Sequence, residues 1–302
     1  MSKLTIGPIN AATPSPLTGD GSFDRESARR LCRRWRELGL NGVLIHGRTG
    51  AGLLLPESGR MDFVETALEE AGGNLTIFVS AADQTREPMR ERALRYARMG
   101  PPCVVLCLTP GVPAQQAINN VKRVADACPV PCAYYEVPAN TGIARSLDEL
   151  RDLMSHPNIC AIKDSSNNAL PAQALTAPGY RFGGVKLLDG VEYRAAFSAA
   201  LGYDGVIHGG GVLTGRRVCR IWESVQSGQF DEAMQLDREN SLCPGVIYSR
   251  LSSPLQNIVA QKYALTLLGV FATEGVLTDQ RMDDEARNRV ARALDQNRSW
   301  PV

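Results

Sequence analysis

Short apolar runs recur along the chain at fairly regular intervals, and longer polar segments with helical periodicity separate them. Continuous apolar runs without alternation are typical of strands buried on both faces, as in a parallel sheet. The predicted strands are residues 4–12, 42–46, 75–80, 103–108, 131–135, 159–163, 182–188 and 205–208. The predicted helices between them are residues 24–38, 58–71, 88–99, 113–127, 146–155 and 193–201. Eight strand–helix repeats predict an α/β fold of the (β/α)8 TIM-barrel type rather than an open sheet.

The helical pattern continues after the eighth strand, from residue 215 to the end, and includes residues 252–268. We therefore predict a barrel over residues 1–225 and a C-terminal helical extension over residues 226–302, packed on the barrel. A length of 302 residues also suits two ordinary domains, but the repeated pattern favours one barrel.

Composition and charge narrow the class of protein. Hydrophobic residues make up 44% and charged residues 22%, which is the balance of a soluble globular protein. The net charge is +1 and no basic block stands out, so neither nucleic acid nor an anionic membrane is the expected partner. No signal peptide or membrane span is visible, and a cytoplasmic location is expected. The eight cysteines form no C-x-x-C pair, which favours buried thiols over disulfides or zinc.

Two side chains at predicted strand ends carry the candidate chemistry, because barrel enzymes place their sites at the C-terminal ends of the strands. Lys163 ends the sixth apolar run, where burial disfavours the ammonium form and favours the free amine that a Schiff base needs. Tyr135 ends the adjacent fifth run, and its phenol can shuttle protons beside that amine. A lysine that extends to solvent and a core tyrosine are the structural alternatives.

A glycine-rich turn at residues 47–52 (GRTGAG) follows the second strand. Its backbone N–H groups and the Thr49 hydroxyl can bind a carboxylate. The turn lacks the Lys-Ser/Thr ending of a P-loop and the spacing of a dinucleotide fingerprint. His46 and His208 also stand at strand ends, and we expect hydrogen-bonding roles for both at the rim of the pocket. Metal binding is disfavoured, since no H-x-H or H-E-x-x-H pattern is present.

Taken together, these segments resemble the family of dihydrodipicolinate synthase and N-acetylneuraminate lyase, from about residue 12 to residue 269. Residues 47–50 (GRTG) resemble its carboxylate-binding loop, G-[TS]-[TS]-G. Residues 135–142 (YEVPANTG) resemble its Y-N-x-P-x-x-T-G motif, and residues 162–166 (IKDSS) resemble the motif around its imine lysine. Residues 202–207 (GYDGVI) are similar to a strand that lines its pocket. The four segments occur in the family's order at fitting separations.

The resemblance implies a Schiff-base lyase, aldolase or dehydratase that acts on pyruvate or a hydroxylated 2-oxo acid. It gives Lys163 the imine, Tyr135 the proton relay, and Thr49 with the loop amides the substrate carboxylate. The expected substrate contacts are Arg48, Gly50, Asn140, Gly190 and Ile207. No metal or organic cofactor is needed, because the imine is the electron sink. Members of the family commonly form dimers or tetramers, so the resemblance also implies a homodimer or homotetramer.

Several departures from the family pattern bear on the substrate. Glu136 replaces the usual asparagine. Residues 109–113 (TPGVP) lack the tyrosine that, in the synthase, reaches into the site of the neighbouring subunit and helps to transfer protons. The proton relay from Tyr135 through Thr49 is therefore incomplete or rebuilt. Asn140 stands where the synthase has an arginine for the carboxylate of aspartate semialdehyde, and it cannot form that charged pair. Arg48 replaces the first Ser/Thr of the loop, and it either binds a substrate anion or points outward to an acidic neighbour.

These departures disfavour the synthase reaction of lysine biosynthesis. Residues 138–142 (PANTG) resemble that stretch in 4-hydroxy-2-oxoglutarate aldolase, which favours cleavage of a hydroxylated 2-oxo acid. Two alternatives stay open. One is the synthase itself, which condenses pyruvate with aspartate semialdehyde, and kinetics with that aldehyde distinguish it. The other is a non-catalytic barrel, which would bind a 2-oxo acid without turning over any aldehyde or sugar acid.

Overall fold

Eight parallel strands pair in sequence order, and β8 returns to β1, so the sheet closes into a barrel. The computed structural model describes residues 4–81, 89–107, 111, 113–142, 144–177, 180, 183–248, 254–275 and 281–298. The strands are β1 (Ile9–Ala12), β2 (Gly42–Ile45), β3 (Thr76–Ser80), β4 (Cys103–Cys107), β5 (Cys132–Glu136), β6 (Ile159–Asp164), β7 (Lys186–Asp189) and β8 (Gly205–His208). The predicted TIM barrel is confirmed.

Helices alternate with these strands and form the outer layer. Within the described residues they are α1 (Arg25–Glu37), α2 (Glu57–Ala71), α3 (Met89–Ala97), α4 (Ala114–Ala127), α5 (Pro138–Thr141), α6 (Leu147–Met154), α7 (Ala169–Thr176), α8 (Ala195–Leu201), α9 (Gly211–Gln226), α10 (Phe230–Tyr248), α11 (Pro254–Leu267) and α12 (Asp284–Arg298). A short 3-10 turn, Gly52–Leu54, follows β2. None of these helices combines the length and the apolar character that a membrane crossing requires.

The structure differs from the predicted elements mainly in short segments. Helices α5 and α7 were not predicted, since one or two turns are too short for a periodic apolar pattern. Pro138 opens α5 and Gly142, with φ +76°, ends it, which are the residues that start and stop a helix. Strand β1 covers only the last four residues of the predicted segment 4–12.

Alternate residues of each strand face the inside of the barrel, and this alternation positions the candidate chemistry. In β5, Ala133 and Tyr135 belong to the apolar cluster that fills the barrel, whereas Tyr134 packs in the outer cluster against the helices. In β6, Ala161 faces inward, so Lys163 two residues later faces inward as well.

The register between β5 and β6 contains a bulge. Cys132 pairs with Ile159 and Ala133 pairs with Ala161, which leaves Cys160 as an extra residue of β6. Beyond the bulge, Tyr135 pairs with Lys163. The extra residue therefore brings the lysine, rather than Ile162, opposite the tyrosine.

The C-terminal helices pack against the barrel and reach its mouth. Helix α9 contacts β1 and α8, and α10 packs on α9 and α12. From α11, the Gln261 side chain donates a hydrogen bond of 2.8 Å to the carbonyl of Gly209, just after β8. Helix α9 ends at Gln226 and α10 begins at Phe230, and the domain boundary at residue 225 stays a prediction.

Closure of the barrel requires β8 to lie close to the segment before β1. The backbone N–H of Val206 donates to the carbonyl of Pro8 at 2.7 Å. A Cβ on Gly205 would lie 2.7 Å from the Cα of Pro8 and closer still to its carbonyl oxygen. Only glycine allows this approach of two backbones.

We therefore expect Gly205→Ala to lower the free energy of unfolding by about 1–3 kcal/mol, because an added methyl must push the two backbones apart. Urea unfolding followed by circular dichroism measures the change. Gly19→Ala is the matched control, since nothing lies within 4 Å of its added methyl, and it should change stability by no more than about 0.5 kcal/mol. Equal stability of the two variants would contradict this account of barrel closure.

Candidate active site

A cavity of about 310 Å³ opens at the C-terminal mouth of the barrel. Its walls come from the ends of β2, β5, β6, β7 and β8 and from α11. The described residues that line it are Arg48, Thr49, Tyr135, Val137, Lys163, Ser165, Gly190, Glu192, Tyr193, Gly209, Asn257, Ile258 and Gln261. The cavity thus collects the predicted residues Lys163, Tyr135, Thr49, Arg48 and Gly190.

Lys163 and Tyr135 form the floor of the cavity. The Lys163 Nζ atom lies 4.6 Å from the centre of the Tyr135 ring. Both residues are buried, with 5% and 7% of their surfaces exposed. Among the described residues Lys163 has neither a hydrogen bond nor an ion pair. Its amine therefore faces the cavity with no described side chain bonded to it, which is the placement that a lysine nucleophile requires.

Buried carboxylates behind the cavity fix the backbone that carries Lys163. Asp164 accepts hydrogen bonds from the Tyr203 hydroxyl at 2.7 Å and from the Ser166 N–H at 2.8 Å. Its register partner on β7, Asp189, forms an ion pair with Arg194 at 2.7 Å. Burial, and then the nearby Asp164 carboxylate, raise the pKa of Tyr203, so its hydroxyl stays a donor. The turn directly after the lysine is therefore held on both sides.

The loop after β2 presents free backbone donors to the cavity. The N–H groups of Arg48 and Thr49, which line the cavity, donate no hydrogen bond within the described part of the chain. The loop itself is held, because Ser15 donates to the Gly50 carbonyl at 2.6 Å and Ala51 N–H to the Arg48 carbonyl at 3.0 Å. Successive free N–H groups in a fixed turn form a site for an anion such as a carboxylate.

Glu192 lines the cavity but was not among the predicted site residues. It follows β7 by three residues, and its Oε1 atom accepts a hydrogen bond from the Gly210 N–H. Burial raises the pKa of its carboxyl group, against the opposing effects of the Gly210 hydrogen bond and the Lys163 charge. The one signal in the sequence was its position, just beyond the end of a predicted strand. Acidic residues are common in such loops, so this position alone does not indicate a functional residue.

Three polar groups converge around Gly209 after β8. A Cβ at this position would lie 3.2 Å from Thr49 Oγ1, 3.4 Å from Glu192 Oε1 and 3.6 Å from Gln261 Nε2. Glycine here leaves the space between these groups to a bound molecule. The cavity wall opposite the lysine is therefore polar and able to bind hydroxyl groups.

Two predicted substrate contacts, Gly50 and Ile207, do not line the cavity. Gly50 is buried beneath the loop, and Ile207 belongs to the apolar cluster that fills the barrel below the cavity. The side chain of Asn140 lies outside the described residues. Gly190 packs against the lysine, since a Cβ there would lie 2.8 Å from Lys163 Cε. The roles of all four residues stay predictions.

The prediction that two histidines lie at the rim of the pocket is wrong. His46, with φ +58°, turns outward and packs against Phe63 and Tyr96, and its Nε2 contacts the Arg60 carbonyl at 2.9 Å. Burial lowers the pKa of His46 to about 3. His208 follows the inward-facing Ile207, so alternation directs it outward, and burial lowers its pKa to about 4. The described residues contain no group of three or more side chains suited to a metal ion.

Fold and site together define a parallel-barrel protein with a lysine-centred cavity at its catalytic face. A family model described as the dihydrodipicolinate synthetase family matches residues 6–297. The chain therefore belongs to this family, as the sequence motifs predicted. The predicted class of lyase or aldolase is confirmed at the level of the family, since its named relatives are synthases and lyases.

Relatives with both names are similar to the chain. The 4-hydroxy-tetrahydrodipicolinate synthase of Stenotrophomonas maltophilia (strain R551-3) is 30% identical over 223 residues, which cover 72% of this chain and 74% of the relative. N-acetylneuraminate lyase 2 of Escherichia coli O6:H1 (strain CFT073) is 26% identical over 233 residues, 76% of this chain and 75% of the relative.

Solved structures agree with the fold. Dihydrodipicolinate synthase from Aquifex aeolicus superposes with a TM-score of 0.87 at 19% identity and covers 97% of this chain and 98% of its own. CdNal from Clostridium difficile, solved in complex with mannosamine, gives a TM-score of 0.87 at 16% identity and covers 97% and 99%. At these identities the likeness concerns the fold alone.

We expect Tyr203→Phe to lower the free energy of unfolding by about 1–3 kcal/mol, because it leaves a buried Asp164 oxygen without its donor. Urea unfolding at neutral pH measures the loss. Tyr180→Phe is the control, since that tyrosine is 39% exposed, and it should stay within about 0.5 kcal/mol of the parent protein. A Tyr203→Phe variant as stable as its control would mean that the Asp164 contact contributes nothing.

Proposed function

We propose that the protein is a class I lyase or aldolase that forms an imine between Lys163 and the carbonyl carbon of a 2-oxo acid. The observation that carries this proposal is the buried Lys163 Nζ, 4.6 Å from the centre of the Tyr135 ring, at the floor of the cavity. Family membership supports it, since the relatives are named as a synthase and a lyase. The substrate is a hydroxylated 2-oxo acid or pyruvate.

The first step forms the imine. The Lys163 amine attacks C2 of the 2-oxo acid, and the Tyr135 phenol gives a proton to the developing alkoxide of the carbinolamine. Loss of water then leaves a positively charged iminium group. This group accepts the electron pair of a neighbouring C–C or C–H bond, and the chemistry therefore needs no metal or organic cofactor.

The substrate carboxylate binds at the loop after β2. The free N–H groups of Arg48 and Thr49, together with the Thr49 hydroxyl, supply the donors. Because the same cavity holds Lys163, a carboxylate on this loop directs the adjacent keto carbon toward the amine. This arrangement selects a 2-oxo acid over a simple aldehyde or ketone.

The remaining wall of the cavity favours a longer substrate than pyruvate. Glu192, Asn257 and Gln261 can bind hydroxyl groups, while Arg48 can bind a second anionic group. Arg48 is exposed at the mouth and has no ion-pair partner among the described residues. These features support a hydroxylated 2-oxo acid with a distal carboxylate or phosphate, and retro-aldol cleavage as the reaction.

Condensation of pyruvate with aspartate semialdehyde is the second candidate. One specific observation favours it, the similarity to the Stenotrophomonas maltophilia relative named 4-hydroxy-tetrahydrodipicolinate synthase. Asn140 in place of an arginine argues against it, because an amide cannot form the bidentate pair with a carboxylate. If the protein condenses pyruvate with that aldehyde faster than it cleaves hydroxylated 2-oxo acids, condensation becomes the preferred function.

The location, oligomeric state and partners of the enzyme are proposed from its sequence and its family. A cytoplasmic location is part of the proposal, and a homodimer or homotetramer is proposed because it is the common form in the family. One solved structure of similar fold is described as a monomeric dihydrodipicolinate synthase variant, so a monomer is the alternative to this assembly. Small 2-oxo acids, rather than nucleic acids or membranes, are the proposed partners.

Incubation with pyruvate and borohydride should add the mass of one reduced pyruvate to the protein, because hydride fixes the imine as a secondary amine. Intact-protein mass spectrometry measures the gain, and Lys163→Ala should abolish it. The matched control is Lys262→Met, since Lys262 is also buried and its pKa is lowered by burial to about 7. An adduct that persists in Lys163→Ala, or no adduct with pyruvate or longer 2-oxo acids, would contradict the proposal.

Arg48→Gln should raise KM for a dianionic substrate such as 4-hydroxy-2-oxoglutarate by about tenfold or more, because it removes a charge-assisted hydrogen bond. Trapping of pyruvate, which carries one carboxylate, should be unchanged. Steady-state kinetics and the borohydride assay measure the two effects, with Arg33→Gln on the exposed side of α1 as the control. A similar KM in both variants would place the Arg48 guanidinium outside the substrate site.

A further inference from the structure

Two proton-transferring side chains flank Lys163 from opposite sides. The strand order places β6 between β5 and β7. Tyr135 lies on β5, opposite the lysine in register, and Glu192 follows the end of β7. Both side chains line the same cavity. An imine on Lys163 would therefore have a phenol on one side and a carboxyl group on the other.

The two steps of an aldol cleavage transfer protons at different atoms of the substrate. Tyr135 serves the carbinolamine oxygen at C2, whereas cleavage of the C3–C4 bond requires a base for the hydroxyl on C4. The sequence offers no tyrosine after the fourth strand to extend the Tyr135 relay, since residues 109–113 read TPGVP. A second group on the far side of the imine meets this need.

Glu192 has the properties of such a group. Its Oε1 atom is held by the Gly210 N–H, while no described residue donates a hydrogen bond to its Oε2 atom. No described arginine or lysine lies within ion-pair distance of it, although the Lys163 charge acts on it across the cavity. The charged and titratable groups that share its cavity are Arg48, Tyr135, Lys163 and Tyr193. A fixed carboxyl group of this kind can accept a proton and give it back.

We propose that Glu192 is the catalytic acid–base of C–C bond cleavage. Its carboxylate takes the proton of the C4 hydroxyl as the C3–C4 bond breaks, and the electron pair of that bond passes into the iminium to give an enamine. The C4 fragment leaves as an aldehyde or 2-oxo acid. The carboxylic acid of Glu192 then returns its proton to C3 of the enamine, and water hydrolyses the resulting iminium to pyruvate and the free lysine.

This proposal rests on the proposed imine at Lys163, and the experiment separates the two. We compare wild type, Glu192→Gln, Glu192→Asp and the exposed-site control Glu223→Gln. Each is assayed for borohydride trapping of pyruvate, for exchange of the pyruvate methyl hydrogens in D2O by NMR, and for cleavage of 4-hydroxy-2-oxoglutarate. Trapping reports imine formation alone, while exchange and cleavage require proton transfer at C3 or at the C4 hydroxyl.

Glu192→Gln should trap pyruvate like wild type but lose about 100-fold or more in both the exchange rate and the kcat of cleavage. Glu192→Asp should recover part of both, and Glu223→Gln should match wild type. In the kcat–pH profile, the acidic limb should lie above the ordinary range of a glutamate, because burial raises the pKa of Glu192, and it should vanish in Glu192→Gln.

Three outcomes would overturn the assignment. Unchanged exchange in Glu192→Gln would show that another group handles the C3 proton. A higher KM with unchanged kcat would reduce Glu192 to a hydroxyl-binding residue, and lost trapping would make it a residue that positions the lysine. If wild type itself fails to trap pyruvate, the imine proposal fails instead, and that result is distinguishable from all three.

Discussion

The register between β5 and β6 is the constraint on which the candidate site depends. Side chains of a strand alternate between the two faces of a sheet, so a slip of one residue moves each of them to the opposite face. The bulge at Cys160 adds one residue to β6 and brings Lys163 opposite Tyr135. Without it, Ile162 would face the tyrosine and the lysine would lie beyond its reach. Bulges are frequent beside active sites, where they redirect a side chain.

The polar groups behind the cavity keep this register rigid. Glu136, Asp164 and Asp189 are aligned in register across β5, β6 and β7 on the outer face of the barrel. Each is buried and each accepts hydrogen bonds, as Glu136 does from the Tyr134 hydroxyl at 2.6 Å. Buried carboxylates are costly unless they are satisfied, and satisfied networks fix a unique arrangement. The inner face, by contrast, leaves Lys163 and the loop amides without hydrogen-bond partners among the described residues, as expected of a site prepared for a ligand.

The sequence was sufficient to predict the barrel and the centre of the site, because both follow from short-range patterns. Apolar runs marked the strands, and Lys163 and Tyr135 stood at the ends of two of them. The direction of His46 could not be predicted, since it depends on a single positive φ angle. Glu192 could not be distinguished from an ordinary loop acid, because its place depends on a hydrogen bond from Gly210 and on a cavity that it shares with α11, both distant in sequence. Contacts between residues that are distant in sequence therefore determine where these side chains lie.

The central claim is that Lys163 is the covalent attachment point for a 2-oxo acid whose carboxylate lies on the loop after β2. A crystal structure of the protein soaked with pyruvate tests it most directly. The account predicts continuous electron density from Lys163 Nζ to C2 of the ligand, with the carboxylate on the amides of Arg48 and Thr49. Unmodified Lys163 in a pyruvate-saturated crystal, or density that extends from Lys262 instead, would contradict it.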